Sequence, residues 1–230
     1  MTSDLVLLPG LSCDERLWRD VIDQLGNEVR PLVADLLQDD SIAAMARRVL
    51  DAAPPRFALA GLSMGGYVAL EIIRQAPERV THLALLDTSS RSDTEARKEM
   101  RRAGMAAATG GKFGLVARMQ LPDVLIKQHL DTPLADEVGE MTLRVGLDVY
   151  LAQQKAIMAR IDSRPFLPSI AVPTLVGVGE GDMLTPRVLS EEMAELIPGA
   201  ELVVFPDSAH VPTMENPDAV VAAMRAWLAR

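Results

Sequence analysis

The sequence predicts an α/β domain built on a mostly parallel sheet, and three observations carry that expectation. Six short segments, at residues 4–8, 28–33, 56–61, 80–86, 173–177 and 201–205, are mostly near-continuous apolar runs without a polar face. Strands covered on both sides by helices read this way. Between them lie helical patterns with recognisable ends, and strands alternating with helices pair in parallel through right-handed crossovers. One stretch, from Arg91 to about Pro168, has no strand candidate and is helical throughout, which marks an insertion between two core strands.

Taken in order, Ser12-Cys13-Asp14-Glu15 reads as a capping box opening a helix that ends near Gly26. Residues 41–53 are alanine-rich with apolar spacing, and Pro54-Pro55 stops them. A third helix is expected over residues 64–75, ended by Ala76-Pro77. Thr185-Pro186 and Asn216-Pro217 each place a capping side chain before a proline suited to the first helical position. The final helix carries Val220, Val221, Met224, Trp227 and Leu228 on one stripe and should pack on the sheet. The insertion begins with a charged segment over residues 92–102 and passes a flexible Thr109-Gly110-Gly111. A long helical pattern over residues 133–161 follows, interrupted by Gly139 and Gly146. The expected division is therefore a first core part (residues 1–90), a helical cap (91–168) and a second core part (169–230).

Composition narrows the function classes. The chain has 230 residues, 49% of them apolar, which suits one domain with a sizeable core. A net charge of −9, no Lys/Arg cluster and only 3% aromatics argue against nucleic acid and against anionic lipid surfaces. With one cysteine, Cys13, neither an intrachain disulfide nor a cysteine-based zinc site can form. The N-terminus lacks a basic segment and a long apolar run, and no window approaches a membrane span, so a cytoplasmic protein is expected.

The chemistry is concentrated at Gly61-Leu62-Ser63-Met64-Gly65, a G-x-S-x-G pentapeptide. Alone it is a weak signal; following an apolar strand and opening a helix, it is a strong one. A nucleophilic serine needs such a turn, with a strained backbone that lifts the hydroxyl clear of the sheet and small residues on either side. The helix behind it presents free N–H groups, so the Met64 N–H is expected as an oxyanion donor. Of the three histidines, His82 lies inside an apolar strand and His129 in the insertion. His210 follows the last strand, at the sheet edge where such folds place reactive groups, and is the expected general base. Asp182, in the loop after the penultimate strand, is the expected orienting carboxylate; Asp87 and Glu180 are its rivals. Cys13 reads as an inert small residue.

In these blocks the sequence resembles the α/β-hydrolase superfamily over nearly its whole length. The blocks are Leu7-Leu8-Pro9-Gly10-Leu11 with Trp18, Gly61 through Gly66, Ala76-Pro77-Glu78-Arg79-Val80, Gly179-Glu180-Gly181-Asp182, and His210 through Glu215-Asn216-Pro217. The resemblance is strongest to small bacterial esterases of the pimeloyl carrier-protein methyl esterase kind, and extends to enol-lactonases and C–C hydrolases. It implies an α/β-hydrolase fold with a helical cap and a serine hydrolase of carboxylic esters or thioesters working through Ser63, Asp182 and His210 and an acyl-enzyme. It also implies the Leu11 N–H as second oxyanion donor. Pro9 stands where the family usually has histidine, and the first strand corresponds to the family's third, so the usual N-terminal hairpin should be missing from a six-stranded sheet. A small-molecule acyl substrate, no metal, no organic cofactor, and a monomer or homodimer are expected. Enol-lactonase or C–C hydrolase chemistry and a non-catalytic ligand receptor are the alternatives. Met100, Met105, Met119, Met141 and Met158 suit cap packing or a tolerant acyl pocket. Arg118 and Lys127 suit the surface better than a substrate carboxylate.

Overall fold

In the computed structural model, which describes residues 2–230, the six apolar runs form one sheet. Its strands are β1 (Ser3–Leu8), β2 (Val29–Val33), β3 (Phe57–Leu62), β4 (Val80–Leu86), β5 (Thr174–Gly179) and β6 (Glu201–Phe205). They lie in the order β2-β1-β3-β4-β5-β6, and every pairing is parallel. From β1 the chain first winds outward to β2, then returns past β1 to β3 and proceeds the other way. That reversal opens a crevice at the carboxyl ends of β1 and β3.

Alternation along each strand explains why the runs are apolar throughout. Leu5 and Leu7 point into one core, Val6 and Leu8 into the other. The core around Val6 and Leu8 is closed by α2 (Ile42–Ala52), α3 (Met64–Gln75) and α8 (Arg187–Leu196), through residues such as Met45, Ile72 and Met193. The core around Leu5 and Leu7 is closed by α1 (Arg16–Leu25) and α10 (Pro217–Leu228), with Trp18 and Trp227 fully buried. The short helix α9 (Pro212–Glu215) precedes α10. Val220, Val221, Met224 and Trp227 form the buried stripe of α10, and the Trp227 indole donates to the Pro173 carbonyl at 3.1 Å.

One predicted cap forms: Asn216 accepts the Ala219 N–H. Ser41 accepts the Ala44 N–H in the same way at the start of α2 (Ile42–Ala52). Two predicted caps do not form. Ser12 adopts a positive φ of 56° and α1 starts only at Arg16, because Ser12 belongs to a turn whose N–H is taken by Gln153. Thr185 caps nothing: α8 begins at Arg187, and the Thr185 hydroxyl is spent on Asp182 instead.

Between β4 and β5 the chain forms four helices, α4 (Glu95–Ala107), α5 (Phe113–Val124), α6 (Pro133–Val145) and α7 (Leu147–Ala159). The long pattern over 133–161 breaks once, at Gly146, whose φ of 88° turns the chain. Gly139 stays helical inside α6 and interrupts nothing. Among the described residues no helix is long and apolar enough to cross a membrane.

Candidate active site

Ser63 occupies the turn between β3 and α3 with φ 55° and ψ −114°, a conformation that non-glycine residues adopt only under constraint. The constraint is visible. The Ser63 N–H donates to the Leu86 carbonyl at 2.9 Å, and the Ser63 carbonyl accepts from the Gly66 N–H at 2.9 Å and the Thr88 hydroxyl at 2.7 Å. The strand and helix approach so closely that a β-carbon on Gly61 would collide with the Gly65 backbone, and one on Gly65 with the Leu8 carbonyl.

His210, on the loop after β6, brings its Nε2 to 2.8 Å from Ser63 Oγ and its Nδ1 to 2.9 Å from Asp182 Oδ2. With Nδ1–H donating to the carboxylate, Nε2 is left to accept from the serine hydroxyl. Asp182, after β5, is itself held: Oδ1 accepts the N–H groups of Leu184 and Thr185 at 2.8 and 3.0 Å, and Oδ2 accepts the Thr185 hydroxyl at 2.5 Å. Burial alone would raise its pKa. The facing His210 and the hydrogen bonds from His210 and Thr185 more than reverse that, holding the carboxyl well below the usual range.

The rival Asp87 ends β4 with φ 45°, fully buried, and accepts the Gly179 N–H at 2.7 Å. Its other oxygen has no partner among the described residues. Burial first, and the Asp182 charge second, push its pKa well above the usual carboxylate value. Asp87, Asp182 and His210 all offer ligand atoms within 4.8 Å of one another. Of these atoms, His210 Nδ1 and Asp182 Oδ2 are already joined by a hydrogen bond. Glu180 is exposed and off the site.

The turn after β1 brings Leu11 into the same cavity as Ser63. Among the described residues neither the Leu11 nor the Met64 N–H donates to a protein acceptor, so both are free for an anion. With Pro9 in place of a histidine, this turn is tied by Gln153 of α7. Gln153 accepts the Ser12 N–H at 2.9 Å and donates to the Leu36 carbonyl at 3.1 Å. Cys13 also lines the cavity. Burial first and neighbouring Asp14 second push its thiol up to about 12, so it stays protonated. His82 packs edge-on against Trp227, and His129 faces Glu215 at 3.4 Å.

The cavity above Ser63 measures about 280 Å³ and is walled by the helices between β4 and β5. Met100 and Met141 line it, Met105, Met119 and Met158 do not, and Arg118 and Lys127 are exposed outside it. Three features were not foreseen. Thr185 binds the Asp182 carboxylate. Glu215, with its side chain fully buried, accepts the Ala209 N–H at 2.7 Å and the Ile126 N–H at 2.8 Å, tying the His210 loop to the segment after α5. Arg97 and Arg101 of α4 and Tyr150 and Gln154 of α7 enter the cavity wall. Each of these two pairs is spaced i, i+4, a signal present in the sequence, but the same spacing serves equally for a solvated helix face.

Residues 5–223 match the sequence model of the alpha/beta hydrolase family. Among curated proteins, the chain is 26% identical to a pimeloyl-[acyl-carrier protein] methyl ester esterase of Aliivibrio salmonicida, covering 98% of this chain and 92% of that one. The corresponding Klebsiella pneumoniae protein is 28% identical, covering 94% of this chain and 89% of that one. Among solved structures, a thermophilic esterase from Thermogutta terrifontis with malate bound superposes with a TM-score of 0.90 at 29% identity, over 100% of this chain and 90% of that one. The enol-lactonase from Burkholderia xenovorans LB400 also gives 0.90, over 100% of this chain and 92% of that one; at 22% identity it speaks for the fold alone.

Proposed function

Since the chain belongs to the alpha/beta hydrolase family and is a hydrolase, we propose that it cleaves carboxylic esters or thioesters through a Ser63–His210–Asp182 triad. The observation that carries this reading is the unbroken hydrogen-bonded path from Asp182 through His210 to Ser63 Oγ at the cavity floor. In the first step Ser63 Oγ attacks the carbonyl carbon while His210 Nε2 takes its proton. The oxyanion is held by the Leu11 and Met64 N–H groups, and His210 returns the proton to the departing alcohol or thiol. In the second step His210 deprotonates a water, which attacks the acyl-serine and releases the acid. Asp182, kept ionised, fixes the histidine tautomer and stabilises the imidazolium in both steps. Each oxyanion N–H contributes about 3 kcal/mol to lowering the barrier. The helices spanning residues 91–168 act as a cap over the core parts 1–90 and 169–230, excluding bulk water and shaping the acyl pocket.

The ester assignment draws on the relatives, whose names describe ester hydrolysis. The test is hydrolysis of p-nitrophenyl esters from acetate to octanoate by the native chain and by Ser63→Ala, alongside labelling with a fluorophosphonate probe. Turnover and labelling at Ser63, both abolished in the variant, are expected. Labelling without ester turnover would move the substrate to a lactone or a C–C bond. No labelling at all would remove the triad reading.

A further inference from the structure

The cavity holds a second polar centre that the proposed chemistry does not use. Arg101 of α4 donates through Nε to Asp93 at 2.6 Å and through Nη1 to Gln154 Oε1 at 2.8 Å. Because this contact occupies the amide oxygen, the Gln154 NH₂ is the end left for the cavity that Gln154 lines. Gln154 is only 3% exposed and Tyr150 1%. The Tyr150 hydroxyl lies beside the amides of Gln154 and Gln120. One helical turn before Arg101, Arg97 also lines the cavity, with one nitrogen on the Leu184 carbonyl.

The charges around this centre do not cancel. Asp93, fully buried at its side chain, is shared by two guanidiniums, Arg101 at 2.6 Å and Arg160 at 2.9 Å. One carboxylate therefore faces two cations. Arg97 adds a third positive charge, and Asp123, at the exposed rim of the cavity, offsets one. An acidic protein of net charge −9 thus keeps an excess of positive charge and a set of hydrogen-bond donors at one wall of this cavity. Cations are costly to bury unless paired, and a guanidinium fork with neighbouring amide and hydroxyl donors matches the planar, singly charged carboxylate.

We infer that this centre binds a carboxylate at the far end of the substrate, so that the substrates are half-esters or half-thioesters of dicarboxylic acids. The inference rests on the proposed ester hydrolysis for the reacting end, and on the Arg97, Arg101, Tyr150 and Gln154 cluster for the other. Ser63 attacks the esterified end; the free carboxylate stays on Arg101 and the Gln154 amide. The distance between the two ends then selects the chain length.

The experiment is calorimetric binding to Ser63→Ala, which blocks turnover, using monomethyl half-esters of the C5 to C8 dicarboxylic acids and the dimethyl esters of the same acids. The expected result is a half-ester of one chain length binding at least about tenfold more tightly than its diester, as a charge-assisted contact provides. That ratio should fall below about threefold when Arg101→Gln or Arg97→Gln is added. Arg101→Gln also strips a partner from Asp93, so thermal melting is followed and Gln154→Leu serves as a second probe of the same contact. Diesters binding as well as half-esters would overturn the inference, as would a preference that survives all three substitutions. Fluorophosphonate labelling of the native chain separates the two readings. Labelling at Ser63 without a half-ester preference overturns this inference alone. A preference without labelling supports the carboxylate site and removes the serine-hydrolase reading.

Discussion

On the sheet side of the cavity, Ser63, Asp87, Asp182 and His210 are each buried or nearly so and held by two or more directed contacts. Ser63 and Asp87 also carry positive φ values. On the helical side, Met100 and Met119 of α4 and α5 are 67% and 68% exposed, and Gly110, Gly111 and Gly139 have nothing within 4 Å of a would-be β-carbon. The floor is a strained, over-determined framework in which atoms have one place to go. The roof is a set of helices with open space at these glycines and with methionines standing in solvent. The contrast fits the proposed chemistry, in which reacting atoms must be placed to within a few tenths of an ångström, whereas a pocket wall need only fit a shape and exclude water. Substitutions should therefore be costly and specific on the floor, mild and graded on the roof.

The sharpest test sets Asp182 against Asp87. In the proposed triad Asp182→Asn removes the charge hydrogen-bonded to His210, and kcat should fall roughly 10³- to 10⁴-fold. Asp87→Asn should leave kcat within about threefold, because burial favours the uncharged form of this carboxyl and an amide is uncharged too. It should also raise the melting temperature. Asp87 has a raised folded pKa, so above about pH 3.9 the unfolded chain has released a proton that the folded chain still holds. Stability is lost as pH rises from there towards the folded pKa, and asparagine removes that loss. The gain in melting temperature should be small near pH 4 and larger at pH 8. Equal losses of activity in the two variants would mean that the two carboxyls act as one unit.

Glu215 joins the two sides, and a substitution there asks whether the roof's position matters to the floor. Its carboxylate holds the N–H next to His210 and the N–H of Ile126, while the His210 N–H itself reaches the Val124 carbonyl at 3.0 Å. Glu215→Gln keeps one acceptor oxygen and loses the other, which should cost about 1–3 kcal/mol of stability. If the strap also sets the imidazole, kcat should fall by about tenfold with KM little changed. Glu215→Ala should do worse on both counts. A loss confined to melting temperature would make the strap structural only.

Which parts were legible in the sequence follows the same division. The strands were readable because two-sided burial writes an apolar run, and the elbow because Gly61, Gly65 and Gly66 admit no β-carbon where backbone crowds. His210 and Asp182 were readable from their places after the last two strands, and the structure brings both to Ser63. What was not readable depends on contacts between distant segments. Thr185 looks like a cap before a proline, Ser12 like a capping-box residue, and Glu215 like a helix-end charge. Each is redirected by a partner that no local pattern names: Asp182, Gln153, and the Ile126 and Ala209 N–H groups. Arg101 and Gln154 are 53 residues apart, and only the packing of α4 on α7 makes them neighbours.

The last pair of substitutions adds one methyl group to each side. At Gly66 a β-carbon would overlap the Thr88 side chain, whose hydroxyl holds the Ser63 carbonyl. Gly66→Ala should therefore cost about 1–3 kcal/mol through overpacking and lower activity as well, because relief requires moving the elbow. Gly139 sits inside α6 with open space around it, so the same methyl meets nothing. Gly139→Ala should gain roughly 0.5–1 kcal/mol by reducing the freedom of the unfolded chain, with kcat/KM unchanged. Chemical denaturation of both variants beside the native chain reads the two signs directly. A loss at Gly139 would show that α6 is packed as tightly as the elbow, and the division into a rigid floor and an open roof would not hold there.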